Sequence, residues 1–460
     1  MVHIHFVGIG GSGLSAIARV LLEQGYTVSG SDRTPSPLVD ELRAAGITVH
    51  IGHHPSYIDG ADLVVRSSAV PDDNPEVVAA HLQGLPVLKR SQFMAEVLAE
   101  KQVIAIAGTH GKTTTTAMIA WMLYQAGEDP SYIIGGISKN LKTNAHAGNG
   151  KFFVIEADEY DRMFLGLNPS WAIITHLEHD HPDCYPTAGE YCQAFVDFVS
   201  TMKPGGALFY NANVPGTAAV ITNLPKGIQA YSYGTGDNAV YYASKLRTND
   251  RGGFSFDAIY APQRETPEWL ASVNLQVPGE HNALNALAAL SLAHRLGLSC
   301  QSAASALDSF SGTSRRFEII GEIAGITMVS DYGHHPTEIQ ATLAAARARY
   351  PQAHIWAVWQ PHTYSRTLAL LPNFATAFSN ADRVLVTPIY AARETLATIT
   401  SAEVAASISS PKAIATSSLA ATSEALARQV QPGDIIILFS AGDAEQIFDC
   451  LQSSLKEKTA

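Results

Sequence analysis

Residues 108–114 read Gly108-Thr109-His110-Gly111-Lys112-Thr113-Thr114, directly after an apolar segment at 103–107 and before apolar residues at helical spacing in 118–123. A strand, a glycine-rich loop and a helix in this order direct backbone N–H groups at phosphate oxygens. The Lys side chain adds a positive charge, and a Thr hydroxyl supplies a ligand for Mg²⁺. The run therefore predicts an α/β protein that binds ATP or GTP.

The loop is shorter than the usual G-x-x-x-x-G-K-[ST] pattern, because its first glycine is Gly108 whereas that pattern would place a glycine at Ile106. The form G-T-x-G-K-T is much the rarer of the two. The alternative interpretation is an ordinary glycine turn between a strand and a helix, in which Lys112 is only a solvated charge.

Composition limits the possible functions. With 460 residues, 46% of them hydrophobic, the chain is long enough for two to four domains. The formal net charge of -12 argues against a nucleic-acid partner, which would require a basic surface. No basic leader and no apolar run of about 18 residues is found, so we expect a cytoplasmic protein without a membrane span. The four cysteines lie in no zinc-binding spacing, which favours reduced thiols.

The first 97 residues predict a small α/β domain with a second glycine loop. Gly8, Gly10 and Gly13 match G-x-G-x-x-G after a short apolar strand at 3–7, and Asp32 follows a second strand at 27–30. This pattern is typical of dinucleotide binding, with the acidic residue on a ribose. An NAD-dependent oxidoreductase is therefore an alternative function, although the unit is too short for a complete dinucleotide fold.

Two further domains follow at 98–312 and 313–460. Apolar runs at 152–155 and 171–175 predict a parallel sheet in the central domain, and residues 241–277, with a loop at 262–267, predict an antiparallel flap packed against it. In the last domain, strand-like runs at 326–330, 354–359, 383–387 and 435–439 alternate with helical segments, and residues 413–427 have helical spacing.

Acidic residues and histidines follow both central strands. Glu156 and three further carboxylates come directly after the first, and Glu178, His179, Asp180 and His181 come after the second. Carboxyl ends of parallel strands meet at one edge of a sheet, and oxygen ligands there suit Mg²⁺. A solvated acidic turn is the alternative for the first group. A zinc site is the alternative for the second, but no third ligand lies at a suitable spacing.

Taken together, the motifs resemble those of the Mur ligases, and the resemblance extends over the whole chain. It is closest to the alanine-adding branch of that family. The motifs that carry it are G-I-G-G-S-G at 8–13, S-S-A-V at 67–70, G-T-H-G-K-T-T at 108–114, E-A-D-E-Y-D at 156–161, D-H-P-D at 180–183, G-E-H-N-A-L-N at 279–285, R-R-F-E at 315–318, D-Y-G-H-H-P-T-E at 331–338 and Q-P-H-T-Y-S-R-T at 360–367.

The resemblance implies a Rossmann-like UDP-binding domain, a central ATPase-like domain with a phosphate loop, and a Rossmann-like C-terminal domain that binds the amino acid. It implies a UDP-sugar site formed by Gly8, Gly10, Gly11, Ser12, Gly13, Asp32, Ser67 and Ser68. It implies an ATP site formed by Gly108, Thr109, His110, Gly111, Lys112, Thr113, Thr114, Asn282 and Asn285. The implied metal ligands are Thr113 or Thr114 for one Mg²⁺ ion and Glu156 with His181 for a second. The implied amino-acid site comprises Tyr332, His334, His362 and Arg366, and the implied catalytic residues are Lys112, His334, Arg315 and Asp331.

The implied reaction joins L-alanine to the lactyl carboxylate of UDP-N-acetylmuramate, a peptidoglycan precursor, through an acyl phosphate, and releases ADP and phosphate. ATP and about two Mg²⁺ ions, for which Mn²⁺ could substitute, are the expected cofactors. Lys112 would stabilise the transferred phosphoryl group, and His334 would accept the proton of the amine because histidine titrates in a suitable range. A neutral, hydrogen-bonded His334 is the alternative. A monomer or a homodimer is expected.

The family also contains the ligase that recycles a preformed tripeptide, and this activity is the alternative within it. Its first glycine loop typically has a Cys and bulkier residues where this chain has 10–13. Two departures from the family's usual pattern affect the predicted sites: His176 replaces an Asn, and Thr363 replaces an Arg in the amino-acid loop.

Overall fold

The computed structural model describes residues 2–262, 266–392, 394–395 and 397–459. It contains three β-sheets, which occupy successive parts of the chain. The predicted α/β class and three-domain architecture are confirmed, whereas the boundaries at 97/98 and 312/313 stay predictions. Within the described residues, no helix combines the length and the apolar character needed to cross a membrane.

The first sheet is parallel throughout, in the order β3-β2-β1-β4-β5. Its strands are β1 (His3–Val7), β2 (Thr27–Asp32), β3 (Thr48–Ile51), β4 (Leu63–Arg66) and β5 (Val87–Lys89). The connecting helices are α1 (Ser12–Glu23), α2 (Pro37–Ala44) and α3 (Pro75–Leu82), with a 3₁₀ turn at Pro55–Ile58, and α4 (Arg90–Val97) follows the last strand. The first glycine loop lies between β1 and α1, as predicted.

The central sheet has ten strands, in the order β15-β14-β13-β12-β11-β10-β6-β9-β7-β8. They are β6 (Gln102–Ala107), β7 (Ser131–Ile133), β8 (Ala145–His146), β9 (Phe152–Glu156), β10 (Trp171–Ile174), β11 (Ala207–Asn211), β12 (Gln229–Gly234), β13 (Tyr241–Thr248), β14 (Phe254–Tyr260) and β15 (Glu268–Asn274). Its helices are α5 (Lys112–Gln125), α6 (Ala188–Ser200), α7 (Thr217–Thr222), α8 (Glu280–Arg295) and α9 (Cys300–Asp308), with a 3₁₀ segment at Tyr160–Gly166.

The antiparallel flap is present as β13–β15, but its predicted packing against the main sheet is wrong. Tyr233 of β12 pairs in parallel with Tyr241 of β13, so the flap continues the sheet at its edge. An edge strand has unpaired backbone groups, and pairing satisfies them better than packing on a face would. Of the predicted loop at 262–267, residues 263–265 lie outside the described part of the chain.

The third sheet has the order β16-β17-β21-β18-β19-β20, in which only β16 is antiparallel to its neighbour. Its strands are β16 (Glu318–Ile323), β17 (Ile326–Asp331), β18 (Ile355–Trp359), β19 (Arg383–Val386), β20 (Ala413–Ala415) and β21 (Ile435–Phe439). Its helices are α10 (Pro336–Arg349), α11 (Tyr364–Ala369), α12 (Leu371–Ala377), α13 (Ser401–Ser407), α14 (Leu419–Gln429) and α15 (Gln446–Thr459).

Strand order positions the site. β6 lies between β9 and β10, and the three strands are parallel. Their carboxyl ends therefore bring the phosphate loop, the acidic segment that starts at Glu156 and the segment 176–181 to one edge of the sheet. Residues 103–107 of β6 and 152–155 of β9 are apolar and buried, because helices cover both faces of a parallel sheet.

Candidate active site

Backbone geometry at the phosphate loop requires its two glycines. Gly108 and Gly111 have φ values of +130° and +81°, and α5 begins directly after Gly111. A Cβ atom on Gly111 would lie 2.8 Å from the Asn285 side chain, and one on Gly108 would collide with Thr175 and the backbone of His176. The loop thus packs closely against β10 and α8, with the N-terminus of α5 open to an anion.

Lys112 lies at the start of α5 and turns its side chain back over the loop. Its Nζ donates to the Gly108 carbonyl at 2.6 Å and to Glu159 at 2.9 Å. Burial opposes the charge of Lys112, but Glu159 and then Glu156 raise its pKa. Burial likewise opposes the charge of Glu159, but Lys112 and His181 lower its pKa. The ammonium group is therefore charged and held at the loop.

Glu156 and His181, the two residues predicted to bind one metal ion, have different hydrogen-bond partners. Glu156 accepts from the backbone N–H of Gly135 at 2.8 Å and from the Thr113 hydroxyl, and burial raises its pKa. His181 Nε2 lies 3.6 Å from Glu159 and 3.7 Å from Asp180. Their shared metal site stays a prediction.

A cavity of about 180 Å³ lies between the phosphate loop, α8 and the third domain. Its lining includes six predicted ATP-binding residues, namely His110, Gly111, Thr113, Thr114, Asn282 and Asn285, and also Asp331. The Asn282 amide donates to the Pro278 carbonyl, and the Asn285 amide donates to the Asn282 oxygen, so both side chains are held in place. Burial raises the pKa of Asp331 to about 6.

A second cavity of about 580 Å³ is bordered by all three domains. The first domain contributes Ser12 and Gly13, the central domain Thr113 and Glu156, and the third domain Arg315 and Tyr332. Predicted residues for the UDP-sugar, the metal and the amino acid therefore face a common space, which the phosphate loop also reaches.

The other predicted UDP-sugar residues shape the first glycine loop or lie beside it. Asp32 accepts from the backbone N–H of Gly10 at 2.8 Å, so its carboxylate supports the loop. Gly8, at φ +85°, packs against Ser67. Gly11 lies in the same loop as Gly8. Ser68 borders a separate cavity of about 460 Å³.

Arg90 is a residue of this region that the sequence interpretation missed. Its guanidinium donates to Asp158 of the central domain at 2.9 Å, and it lies where a Cβ atom on Gly13 would be. It borders both the 460 Å³ and the 580 Å³ cavities. Its place directly after β5, at the carboxyl end of a parallel strand, is the signal that could have identified it.

The predicted amino-acid residues form a cluster that reaches the central domain. Arg366 is 6% exposed and contacts Asp180 through Nε at 3.1 Å and Nη2 at 3.0 Å. It also lies 3.3 Å from His362 and 3.2 Å from His181. Tyr332 packs against the guanidinium groups of Arg315 and Arg316. The fork of Arg366 is thus directed at a carboxylate of the D-H-P-D motif.

His334 does not titrate in the range on which its predicted role depended. Burial, followed by the positive charge of Arg366, lowers its pKa to about 3. Its Nδ1 lies 3.2 Å from the Tyr332 carbonyl. At pH 7 the ring is therefore neutral, which agrees with the hydrogen-bonded alternative and makes it a weak proton acceptor.

A second feature that the sequence interpretation missed is a cluster around His110. Nε2 of His110 bonds to Glu178, and Nδ1 lies 3.1 Å from Glu338 of the third domain. His335 Nδ1 lies 3.3 Å from the same Glu178 oxygen. His176, the departure from the usual Asn, stacks beside His110, and burial lowers its pKa to about 4. These contacts join residues up to 228 positions apart, so no local signal could reveal them.

Comparison with family models gives three matches in chain order. Residues 3–102 match the Mur ligase family catalytic domain, residues 106–293 the Mur ligase middle domain, and residues 315–442 the Mur ligase glutamate ligase domain.

Relatives and solved structures agree with these models. The UDP-N-acetylmuramate--L-alanine ligase of Chloroflexus aggregans is 41% identical, with 97% of each chain covered. That of Frankia casuarinae is 43% identical over 85% of this chain and 84% of its own length. The structure of a UDP-N-acetylmuramate-alanine ligase from Thermotoga maritima matches with a TM-score of 0.82, 28% identity and full coverage of both chains. A murein peptide ligase from Psychrobacter arcticus matches at 0.72, with 28% identity and 99% coverage of both chains.

Proposed function

This chain belongs to the Mur ligase family, and we propose that it joins L-alanine to the lactyl carboxylate of UDP-N-acetylmuramate while converting ATP to ADP and phosphate. It is an ATP-dependent ligase that forms an amide bond. The curated relatives at about 40% identity carry the alanine ligase name, which favours this activity over ligation of a preformed tripeptide and over an NAD-dependent oxidoreductase.

The observation that carries the proposal is the 580 Å³ cavity bordered by all three domains. A ligation of this kind must bring together a carboxylate, a phosphoryl donor and an amine. Gly13, Thr113 and Tyr332 come from the three domains predicted to bind the UDP-sugar, ATP and the amino acid, and all three border this cavity. Holding reactants in one enclosed space replaces collisions in solution with an oriented, effectively unimolecular step.

The chemistry needs a first step because a carboxylate does not form an amide with an amine at pH 7. The lactyl carboxylate attacks the γ-phosphorus of ATP, the bond to ADP breaks, and an acyl phosphate forms. The Lys112 ammonium stabilises the charge on the transferred group. The alanine nitrogen, after losing a proton, attacks the acyl carbon, and phosphate leaves from the tetrahedral intermediate.

Mg²⁺ fits the oxygen-rich edge beside the phosphate loop. The Thr113 hydroxyl and the buried Glu156 carboxylate are in contact, and both border the cavity. Burial raises the pKa of Glu156, so a bound cation would stabilise its ionised form. Thr113 or Thr114 is proposed to bind one Mg²⁺ ion, and Glu156 with His181 a second. Mg²⁺ bound there would neutralise phosphate charge during transfer.

Nucleotide binding is proposed at the 180 Å³ cavity. Asn282 and Asn285 are buried and held by their own hydrogen bonds, so their remaining polar atoms are fixed in direction. Such fixed groups in an otherwise enclosed cavity suit the edge of an adenine ring. Residues 108–114 would then surround the phosphates.

The amino acid is proposed to bind where Tyr332, His334, His362 and Arg366 meet. Arg366 has the planar fork that suits an α-carboxylate, but in this structure the fork contacts Asp180. Amino-acid binding through Arg366 therefore requires the guanidinium group to contact both the Asp180 carboxylate and the α-carboxylate of the amino acid. Because His334 is a weak base, proton loss by the amine is proposed to occur with solvent as the final acceptor.

One assay tests the function. Phosphate release from ATP is measured with UDP-N-acetylmuramate and, in parallel, L-alanine, L-serine, glycine or the tripeptide. We expect L-alanine to give the highest kcat/KM. Glycine lacks one methyl, which is worth about 1 to 3 kcal/mol, so it should be a poor but detectable substrate. A higher kcat/KM for the tripeptide would show that the recycling activity is the correct one.

A second experiment tests the metal. We expect activity to be lost in EDTA and restored by Mg²⁺ or Mn²⁺, and Glu156→Gln should raise the Mg²⁺ concentration needed for half-maximal rate. Glu128→Gln, on the loop after α5, is the control. Activity that survives EDTA, or tightly bound stoichiometric zinc, would contradict the proposed site.

A further inference from the structure

His110 lies in the phosphate loop but contacts both the central and the third domains. Its side chain is 14% exposed. Nε2 forms a hydrogen bond with Glu178, which follows β10. Nδ1 forms an ion pair with Glu338 at 3.1 Å, but the two groups are not aligned as in a hydrogen bond. Both ring nitrogens thus face a carboxylate, an arrangement that the doubly protonated imidazolium satisfies.

Each carboxylate has further contacts that hold it in its own domain. Glu338 lies in the first turn of α10, where it accepts from the backbone N–H of His334 at 3.1 Å and pairs with Arg316 at 3.5 Å. Glu178 is fixed through its backbone, which exchanges hydrogen bonds with the Thr109 side chain. Glu178 therefore anchors the ring of His110 on the central domain, and Glu338 is the contact that His110 itself makes to the third domain. The Glu178 carboxylate also faces His335 of the third domain at 3.3 Å.

We propose that His110 is a positioning residue that couples occupation of the phosphate loop to seating of the third domain, because one ring nitrogen is anchored on Glu178 while the other holds Glu338. The inference rests on the proposed function, since it assumes that ATP occupies the loop. A nucleotide that orders the loop orders His110, and the ordered ring places Glu338 and the N-terminus of α10.

Among the histidines of this cluster, His110 is the one that its neighbours keep protonated. Burial disfavours its charge, but Glu338 and then Glu178 raise its pKa to about 9. The other titratable groups that face it are His176, His281, His335 and Arg316. Burial lowers the pKa of His176 and of His281 to about 4 and also lowers that of His335, so these rings stay neutral.

A divalent cation is the rival occupant of this cluster. One ligand atom each of His110, Glu178 and His335 lie within 4.8 Å of one another. Against it, His110 already pairs with Glu178 through Nε2 and with Glu338 through Nδ1, so a cation would have to displace these contacts.

The test uses three substitutions of His110. The amide nitrogen of Asn stands approximately at the position of Nδ1, and that of Gln approximately at Nε2. His110→Asn therefore keeps a donor for Glu338, His110→Gln keeps one for Glu178 only, and His110→Ala keeps neither. His81→Asn, exposed on α3, is the matched control. For each full-length variant we would measure the Kd for an ATP analogue, kcat, and the radius of gyration with ATP analogue and UDP-N-acetylmuramate.

The proposal predicts that His110→Gln and His110→Ala lose the compaction and lose kcat by about 10- to 100-fold, while the Kd for the ATP analogue rises by a smaller factor than kcat falls. His110→Asn should retain most of the compaction. Glu338→Gln, which keeps an oxygen to cap α10, should resemble His110→Gln, and the double variant should lose little more than either single variant.

Three results would overturn the proposal. One is normal compaction and kcat in His110→Ala. Another is an equal loss of ATP binding and closure in all three variants, which indicates a purely structural role. The third is stoichiometric zinc in the wild type that disappears in both His110→Ala and His335→Ala. Failure of the proposed function is distinguishable, because the wild type itself would then release no phosphate with L-alanine.

Discussion

Lys112 has two roles at the residue scale, since it faces the phosphate loop and also neutralises a buried carboxylate. Glu159 has a side chain that is only 1% exposed, and it accepts from Lys112 at 2.9 Å. Removing one partner of a buried ion pair destabilises a protein more than replacing both partners does, because the remaining charge is left buried without a partner. Substitution of Lys112 is therefore expected to affect both catalysis and stability.

We expect Lys112→Ala to reduce ligation at least about 100-fold, because one contact to the transferred phosphoryl group is worth on the order of 3 kcal/mol. It should also lower the melting temperature, since Glu159 loses its partner. Lys112→Ala combined with Glu159→Gln should recover stability but not activity, as measured by thermal melts and phosphate release. A folded Lys112→Ala enzyme within about tenfold of wild type would contradict the assignment.

Stability should depend on pH through His110. Glu338 and Glu178 outweigh burial and raise the pKa of His110 from 6.5 to about 9 in the folded protein. A raised pKa gives a stabilisation that is complete below about pH 6.5 and is lost as the pH rises through about 9. Melting temperatures measured from neutral pH to about pH 10 should therefore fall more steeply in the wild type than in His110→Asn, whose amide does not titrate. Parallel curves would refute this contribution.

At the scale of single elements, helix α5 has a glycine of positive φ at each end. Gly111 precedes it at φ +81°, and Gly127 follows it at φ +78°. A Cβ atom on Gly127 meets nothing within 4 Å, whereas one on Gly111 would lie 2.8 Å from Asn285. The two positions thus share a left-handed backbone conformation but differ in their surroundings.

Gly127→Ala should lower the free energy of unfolding by about 1 to 2 kcal/mol, the cost of a left-handed conformation for a residue with Cβ, and leave nucleotide affinity unchanged. Gly111→Ala should add a loss of ATP binding, because Asn285 and the loop must move apart. Denaturant unfolding and titration with an ATP analogue would separate the two effects. Equal nucleotide affinity in both variants would show that the close approach at Gly111 has no role.

Elements also show where sequence patterns fail. Residues 413–427 have helical spacing, but 413–415 form β20 and α14 begins only at Leu419. Ala413 and Ala415 pair with Val384 and Val386, so the available sheet edge overrides a weak local preference.

Thr363, which replaces the family's usual Arg, accepts from the backbone N–H of Arg366 and caps α11 at φ +62°.

For the whole molecule, the connection at 313–317 joins the predicted central and third domains, and we call it the hinge. Arg315 and Phe317 have positive φ values of 58° and 46°, which non-glycine residues adopt rarely. Arg315 donates to the Ser440 carbonyl at 2.7 Å and pairs with Glu445 at 2.9 Å, and Asp331 accepts from the backbone N–H of Phe317. These contacts fix the hinge to the third domain.

The first domain is held to the central one by different contacts. Glu23 of α1 accepts from the backbone N–H of Ala147 at 2.7 Å and from the His146 ring at 2.9 Å. Because this interface does not include the phosphate loop, nucleotide binding should leave it unchanged.

We therefore expect hydrogen exchange to slow at 313–317 and at the start of α10 when an ATP analogue and UDP-N-acetylmuramate bind, because the third domain closes and excludes water from the acyl phosphate. Exchange in α14, which borders neither the 180 Å³ nor the 580 Å³ cavity, serves as the internal control and should not change. Equal protection in both regions would indicate general stabilisation, and no protection at the hinge would contradict closure.

The sequence by itself determined the α/β class, the two glycine loops, most strands of the sheets and the family. These features depend on short-range physics: apolar runs predict buried parallel strands, and glycines mark turns that need positive φ. Motif order along the chain added the family. Lys112 could be singled out because its chemistry is visible in a local pattern, and Asn285 because the family resemblance implied it.

Only the tertiary structure decided which of these residues meet. It paired Arg366 with Asp180 and His110 with Glu338, and it placed the flap at the edge of the central sheet. It also decided charge states, because burial lowers the pKa of His334 to about 3 while two carboxylates raise that of His110 to about 9. The same side chain, histidine, is neutral at one position and charged at the other, since its protonation depends on neighbours that the sequence does not place beside it.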